Sequence, residues 1–104
     1  MASPAQANQG VLQVLEPGTA QSLAVTGVSA ASAAAVAATT NVVRLCGDVD
    51  MHLKFGVAPT ATAGSDLRLT AKIPEYLKIA GGAKVAAIKA SGAADGTLQI
   101  TEMI

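Results

Sequence analysis

Along most of the chain, apolar and polar positions alternate in short runs, and turn residues interrupt the runs about every ten positions. Ser22-Leu23-Ala24-Val25-Thr26 sets Leu23 and Val25 on one face and ends at Gly27. Val42-Val43-Arg44-Leu45-Cys46 is rich in β-formers and leads into Gly47-Asp48-Val49-Asp50, a turn by composition. Met51-His52-Leu53-Lys54-Phe55 alternates strictly, which predicts Met51, Leu53 and Phe55 inward and His52 and Lys54 outward toward solvent. Val57 to Asp66 reads as a loop. Leu67-Arg68-Leu69 is a short alternating piece, and Pro74 bars a central strand position just before Glu75. Tyr76-Leu77-Lys78-Ile79 puts Leu77 and Ile79 on one face. Gly81-Gly82 can supply the positive φ of a tight hairpin, with Lys84 to Lys89 as the returning strand. A last turn around Asp95-Gly96 opens Thr97-Leu98-Gln99-Ile100-Thr101, with Leu98 and Ile100 on one side.

Two segments fit this pattern less well. Residues 1–10 are small and polar and predict a flexible N-terminal arm. Val11 to Leu15 suits a short strand, closed by the turn signal Glu16-Pro17-Gly18. Ser29 to Thr40 is mostly alanine, the best helix former, yet it has no Leu, Lys, Glu or Arg to define two helical faces. The period of its surroundings favours an extended strand there over a helix. The expectation is an all-β fold: a small antiparallel β-sandwich or jelly-roll-like barrel of about 6–8 short strands. Residues 1–10 would be its arm and 11–104 its single domain.

Composition narrows the function. Ala supplies 23 of 104 residues against one Phe, one Tyr and no Trp, so the core is thin and aliphatic. A thin core gives modest stability, which self-association or a partner raises. Seven basic residues balance seven acidic ones, without the basic excess that nucleic-acid binding calls for. Charged residues make up only 13%, a low share for a surface that stays wholly in water. No apolar run reaches the ~20 residues of a membrane span. Met1 to Gly10 has neither a basic n-region nor an apolar h-region, so no signal peptide is expected.

Candidate chemistry is sparse. Cys46 is the single cysteine, which rules out an intrachain disulfide, and it reads as a small buried apolar residue. His52 is the only histidine. A catalytic triad built on it needs a nucleophile and an acidic orienter, and zinc needs three or four converging ligands. Asp48 and Asp50 lack the other carboxylates of a calcium loop and read as turn acids. Gly81-Gly82-Ala83-Lys84 lacks the spacing and the following Ser/Thr of a phosphate loop. For a sugar-stacking platform only Tyr76 and Phe55 are available, and Phe55 faces inward. No catalytic, cofactor-binding or metal residue is assigned, and an enzyme is not expected.

The runs NVVRLCGDVDMHLKFGVAPTATA, IPEYLKI, GGAKVAAIKA and GTLQITEMI resemble small structural proteins encoded among the virion genes of tailed bacteriophages. The resemblance rests on Val42 to Leu45 and a polar turn, then His52 to Gly56 with Pro59-Thr60-Ala61-Thr62. It continues through Glu75-Tyr76, a Gly before Lys84-Val85-Ala86, and a Gly-Thr-Leu strand ending Thr101-Glu102-Met103. It spans about two thirds of the chain, and none of its motifs is chemically specific. It implies a non-enzymatic virion component assembled in the host bacterial cytoplasm. The first expectation is a capsid decoration, or cement, protein that binds the major capsid protein lattice as a homo-oligomer, with no nucleic-acid or membrane partner. Its arm would order on docking. The alternatives are a head–tail, baseplate or fibre-associated protein, and behind these a small β-sandwich module that binds glycans or peptides.

Overall fold

The computed structural model describes residues 16–104. The arm predicted over 1–10 and the strand predicted over Val11 to Leu15 lie outside the described residues. Within them there is no helix. Eight strands form: β1 (Pro17–Val25), β2 (Ala30–Ala31), β3 (Val42–Gly47), β4 (Met51–Gly56), β5 (Leu67–Leu69), β6 (Glu75–Lys78), β7 (Lys84–Lys89) and β8 (Gly96–Met103). They build two four-stranded antiparallel sheets, ordered β1-β8-β3-β6 and β2-β7-β4-β5.

The pairing has a simple rule. The first half of the chain pairs with the second half in reverse order, β1 with β8, β2 with β7, β3 with β6 and β4 with β5. Wrapping this double ribbon around a core adds the pairs β3–β8 and β4–β7. That is the jelly-roll form of the β-sandwich. The expected all-β sandwich is what the chain builds.

The alternation seen in sequence places the core. Leu23, Val25, Val43, Leu45, Leu98 and Ile100 from the first sheet meet Met51, Leu53, Leu69, Val85 and Ala87 from the second. Phe55 and Leu77 pack at its margin. Each fully buried aliphatic side chain contributes roughly 1.5–3 kcal/mol by leaving water. With one aromatic at the edge, close packing of small groups does the rest.

Two expectations are corrected here. Glu16-Pro17-Gly18 is not a turn: Pro17 and Gly18 begin β1, and the pairing register with β8 shifts between Pro17 and Ala20. Pro is tolerated because β1 is an edge strand. Gly81-Gly82 does have the positive φ, at Gly82 (82°), but it makes no hairpin. β6 and β7 belong to different sheets, so the turn carries the chain across the core. Among the described residues, only β4 and β5 are consecutive strands that also pair.

The alanine-rich segment is extended, as its surroundings suggest, but only Ala30–Ala31 is regular strand. Beyond it the chain follows β7 irregularly. Ser32 N–H donates to Val85 O (2.8 Å), Val36 N–H to Ala83 O (2.9 Å), and Gly82 N–H to Val36 O (3.1 Å). Small side chains permit this closeness: a Cβ on Gly81 would run into the Ala38 carbonyl.

Candidate functional site

The jelly roll places its connections at two ends. One end gathers the turns after β1, β3, β5 and β7. The other gathers the long segments 32–41 and 57–66 and the turn at 79–83. The chemistry singled out in the sequence lies at these ends and on the outer sheet faces.

At the first end, both turn acids bind backbone. Asp48 accepts from Thr97 N–H through Oδ1 (2.7 Å), linking the β3–β4 turn to β8. Asp50 accepts from Ala71 N–H through Oδ1 (2.8 Å) and pairs with the Arg68 guanidinium through Oδ2 (2.8 Å). The Ala71 N–H chiefly, and Arg68 after it, hold the Asp50 carboxyl below its ordinary range against a partial loss of solvent. Lys89 pairs with Asp95 nearby (2.9 Å). These acids are turn ties. Among the described residues no group of three or more His, Cys, Asp or Glu is placed to hold a metal ion.

His52 is corrected. It does project from the outer face of β4, opposite Ile88 and Arg68, but it is buried, with 6% of its surface exposed. The 57–66 loop folds back against this sheet. Ala61 N–H donates to Ser29 Oγ (2.8 Å), and Asp66 O lies 2.9 Å from His52 Nδ1. Ala61 and the outer-face Ala86 are buried with it, outside the main core cluster. His52 is thus part of a small second layer of packing. Among the described residues its one hydrogen-bond partner is backbone, Asp66 O.

Cys46 is corrected in the other direction. It points from the outer face of β3, opposite Gln99, and is half-buried and reduced. Leu45 and Gly47 take the inward positions beside it. The two aromatics diverge, Phe55 at the core margin and Tyr76 half-exposed on edge strand β6, opposite Arg44. They form no joint stacking platform. Lys84 lies within β7 rather than at the mouth of a loop before a helix, so no phosphate cradle forms.

One residue with unusual surroundings escaped the sequence reading. Glu102 extends the inward series Leu98, Ile100 by two more positions and is 7% exposed. Its Oε1 accepts from Thr40 Oγ1 (2.6 Å) and Ala37 N–H (3.1 Å), and neither of the two ion pairs among the described residues involves it. Continuing the period-2 pattern past Thr101 would have found it. The carboxylate pins the alanine-rich segment over the far end of the core.

Comparison of the chain with protein-family models, with curated protein sequences and with solved structures finds no match.

Proposed function

We propose that the protein is a non-enzymatic structural component of a tailed-phage virion, a capsid decoration protein that binds the major capsid protein lattice as a homo-oligomer. The observation that carries the contact role is where the polar chemistry goes. His52, Asp48, Asp50 and Glu102 are each engaged by the chain's own backbone or turn side chains. What the fold offers outward is strand edges, small side chains and exposed apolar residues such as Val28, Val57 and Ile73. The resemblance of residues 41–104 to phage virion proteins supplies the partner. Decoration suits such a surface, because many weak, symmetry-repeated contacts sum to strong attachment.

The test is copy number and location in purified virions of the phage that encodes the chain. Quantitative mass spectrometry with electron microscopy is expected to find it on the capsid lattice in hundreds of copies. A few copies at the neck or baseplate would replace decoration with a head–tail or tail role. Absence from virions, with glycan binding that Tyr76→Ala abolishes, would replace both with a soluble binding module.

A further inference from the structure

Among the described residues the two sheets have four edge strands, and three of them are poor templates for pairing. β2 has two residues and β5 three, the latter carrying the Arg68–Asp50 pair. β6 has four, follows Pro74, turns the charged Glu75 inward beside Leu45, and presents Lys78 outward. Proline, inward-facing charge and edge lysine are the devices that keep sheets from pairing edge to edge.

From Ala20 to Val25, past its own proline and register shift, β1 has none of these. It is nine residues long, and no charged residue occurs from Pro17 through Val43. Its proline lies at the first position, before the register shift, and from Ala20 to Val25 its pairing with β8 is unbroken. Its outer face carries Ala20, Ser22 and Ala24, opposite Thr101, Gln99 and Thr97 of β8. Gln21 reaches from the inner side to the Ala34 backbone, donating through Nε2 (3.0 Å) and accepting through Oε1 (3.3 Å). That clasp closes the gap between the sheets along this flank and uses a side chain, not the edge backbone of β1.

We infer that the β1 edge is a pairing surface for the β1 edge of a second copy of this chain. Two-fold antiparallel pairing requires partners that face the same side of the sheet, and β1 meets this with Ser22 on the axis. Ser22 then lies opposite Ser22 of the second copy, Ala20 opposite Ala24, Gln21 opposite Leu23, and Thr19 opposite Val25. Small residues meet on the outer side, larger ones on the inner, and no like charges oppose each other. The product is a continuous eight-stranded sheet through both copies. Isologous pairing of this kind closes at the dimer. Main-chain hydrogen bonds supply the affinity, as in other strand additions.

The experiment is sedimentation velocity on the full chain from about 1 µM to about 1 mM, the range in which small interfaces associate. The wild type is expected to dimerise. Ser22→Lys and Ser22→Glu are each expected to weaken the dimer at least about tenfold, since either sets like charges face to face on the axis. An equimolar mixture of the two is expected to regain it as a heterodimer. Tyr76→Glu, on the opposite edge, should leave it intact. Should Ser22→Lys lower Tm, Ala24→Lys poses the same question one pair away. A wild type monomeric throughout, a Ser22→Lys protein that dimerises normally, a mixture that stays monomeric, or a dimer broken by Tyr76→Glu would each overturn the pairing. The inference deepens the homo-oligomer part of the proposed function. A monomer that still decorates capsids removes the pairing alone, and a dimer absent from virions removes the decoration alone.

Discussion

The two ends of the sandwich are held by different means. At the end formed by the turns after β1, β3, β5 and β7, backbone bonds such as Lys72 N–H to Gly47 O are joined by charged side-chain ties at or near the surface: Asp48 on Thr97 N–H, Asp50 on Ala71 N–H and Arg68, Lys89 on Asp95. Water can replace much of each tie. At the other end the chain from 32 to 41 is uncharged, and it is held by close backbone approach to Gly81 and by the buried carboxylate of Glu102. Neither has a substitute in solvent. The alanine-rich segment can pack this closely because it has almost no side chain to place, and it depends on the geometry for the same reason.

The largest effect is expected at Gly81. A methyl group there meets the Ala38 carbonyl, so Gly81→Ala must push the 36–40 segment away from its bonds to Ala83 and Gly82. A cost of about 1–3 kcal/mol is expected. At roughly 4–8 °C per kcal/mol for a domain of this size, calorimetry will resolve it. An unchanged Tm would show that the segment yields freely and that the contrast between the ends is overdrawn.

Glu102→Ala comes next. It leaves the Ala37 N–H and Thr40 hydroxyl without their acceptor in a buried place, worth about 1–3 kcal/mol in urea denaturation. Glu102→Gln retains an acceptor oxygen and should lose less. Amide exchange at Ala37 should speed up in the Ala variant while β3 and β8 stay protected.

At the charged end the effects should be smaller. Asp48→Ala removes the acceptor for Thr97 N–H, where both residues are exposed, and a loss of about 0.5–1.5 kcal/mol is expected by the same measurement. A larger loss than Glu102→Ala would invert the comparison.

The smallest effect concerns Asp50. Its carboxyl is held below the ordinary value of 3.8, so the folded form binds fewer protons than the unfolded form in the window beneath that value. Its contribution is therefore complete above pH 3.8 and fades as pH falls through the lower folded-state value. Asp50→Asn should make Tm less sensitive to pH in that acid window and leave its pH dependence near neutrality unchanged. If the slope below pH 3.8 is the same in both proteins, the Ala71 tie is not made in solution.

Much of the fold was legible in advance because a strand needs only two neighbours' worth of pattern to show which face is buried. Leu23 and Val25, Met51 and Leu53, and Leu98 and Ile100 were placed inward from alternation alone, and each is buried. Asp48 and Asp50 were readable as turn residues by composition, but their hydrogen bonds go to Thr97 and Ala71 in other turns and strands rather than to local backbone, which only the fold decides. His52 was misjudged for a reason that alternation cannot detect. Period two reports which side of its own sheet a residue takes, and it says nothing of a loop folding back over that side. Cys46 shows the converse: composition favours burial for cysteine, while Leu45 and Gly47 already held the inward positions of β3.

By itself, then, the sequence determined where strands lie from Ser22 onward except across Ser29 to Thr40, which face of each is apolar, where the chain turns, and that the core is thin and aliphatic. It also determined that reactive groups are few. Only the tertiary structure decided that the turns between β3 and β4, β6 and β7, and β7 and β8 are crossings between sheets rather than hairpins. A Gly-Gly or Asp-Gly turn permits either outcome, and strands of opposite sheets show the same alternation because they bury toward the same core. Tertiary structure likewise decided that β1 closes against β8, more than seventy positions away, so that among the described residues the uncharged far side of β1 is an edge. Local pattern reports local faces. Which strands become neighbours depends on how the whole ribbon wraps to cover its apolar side, and that is a property of all the strands together.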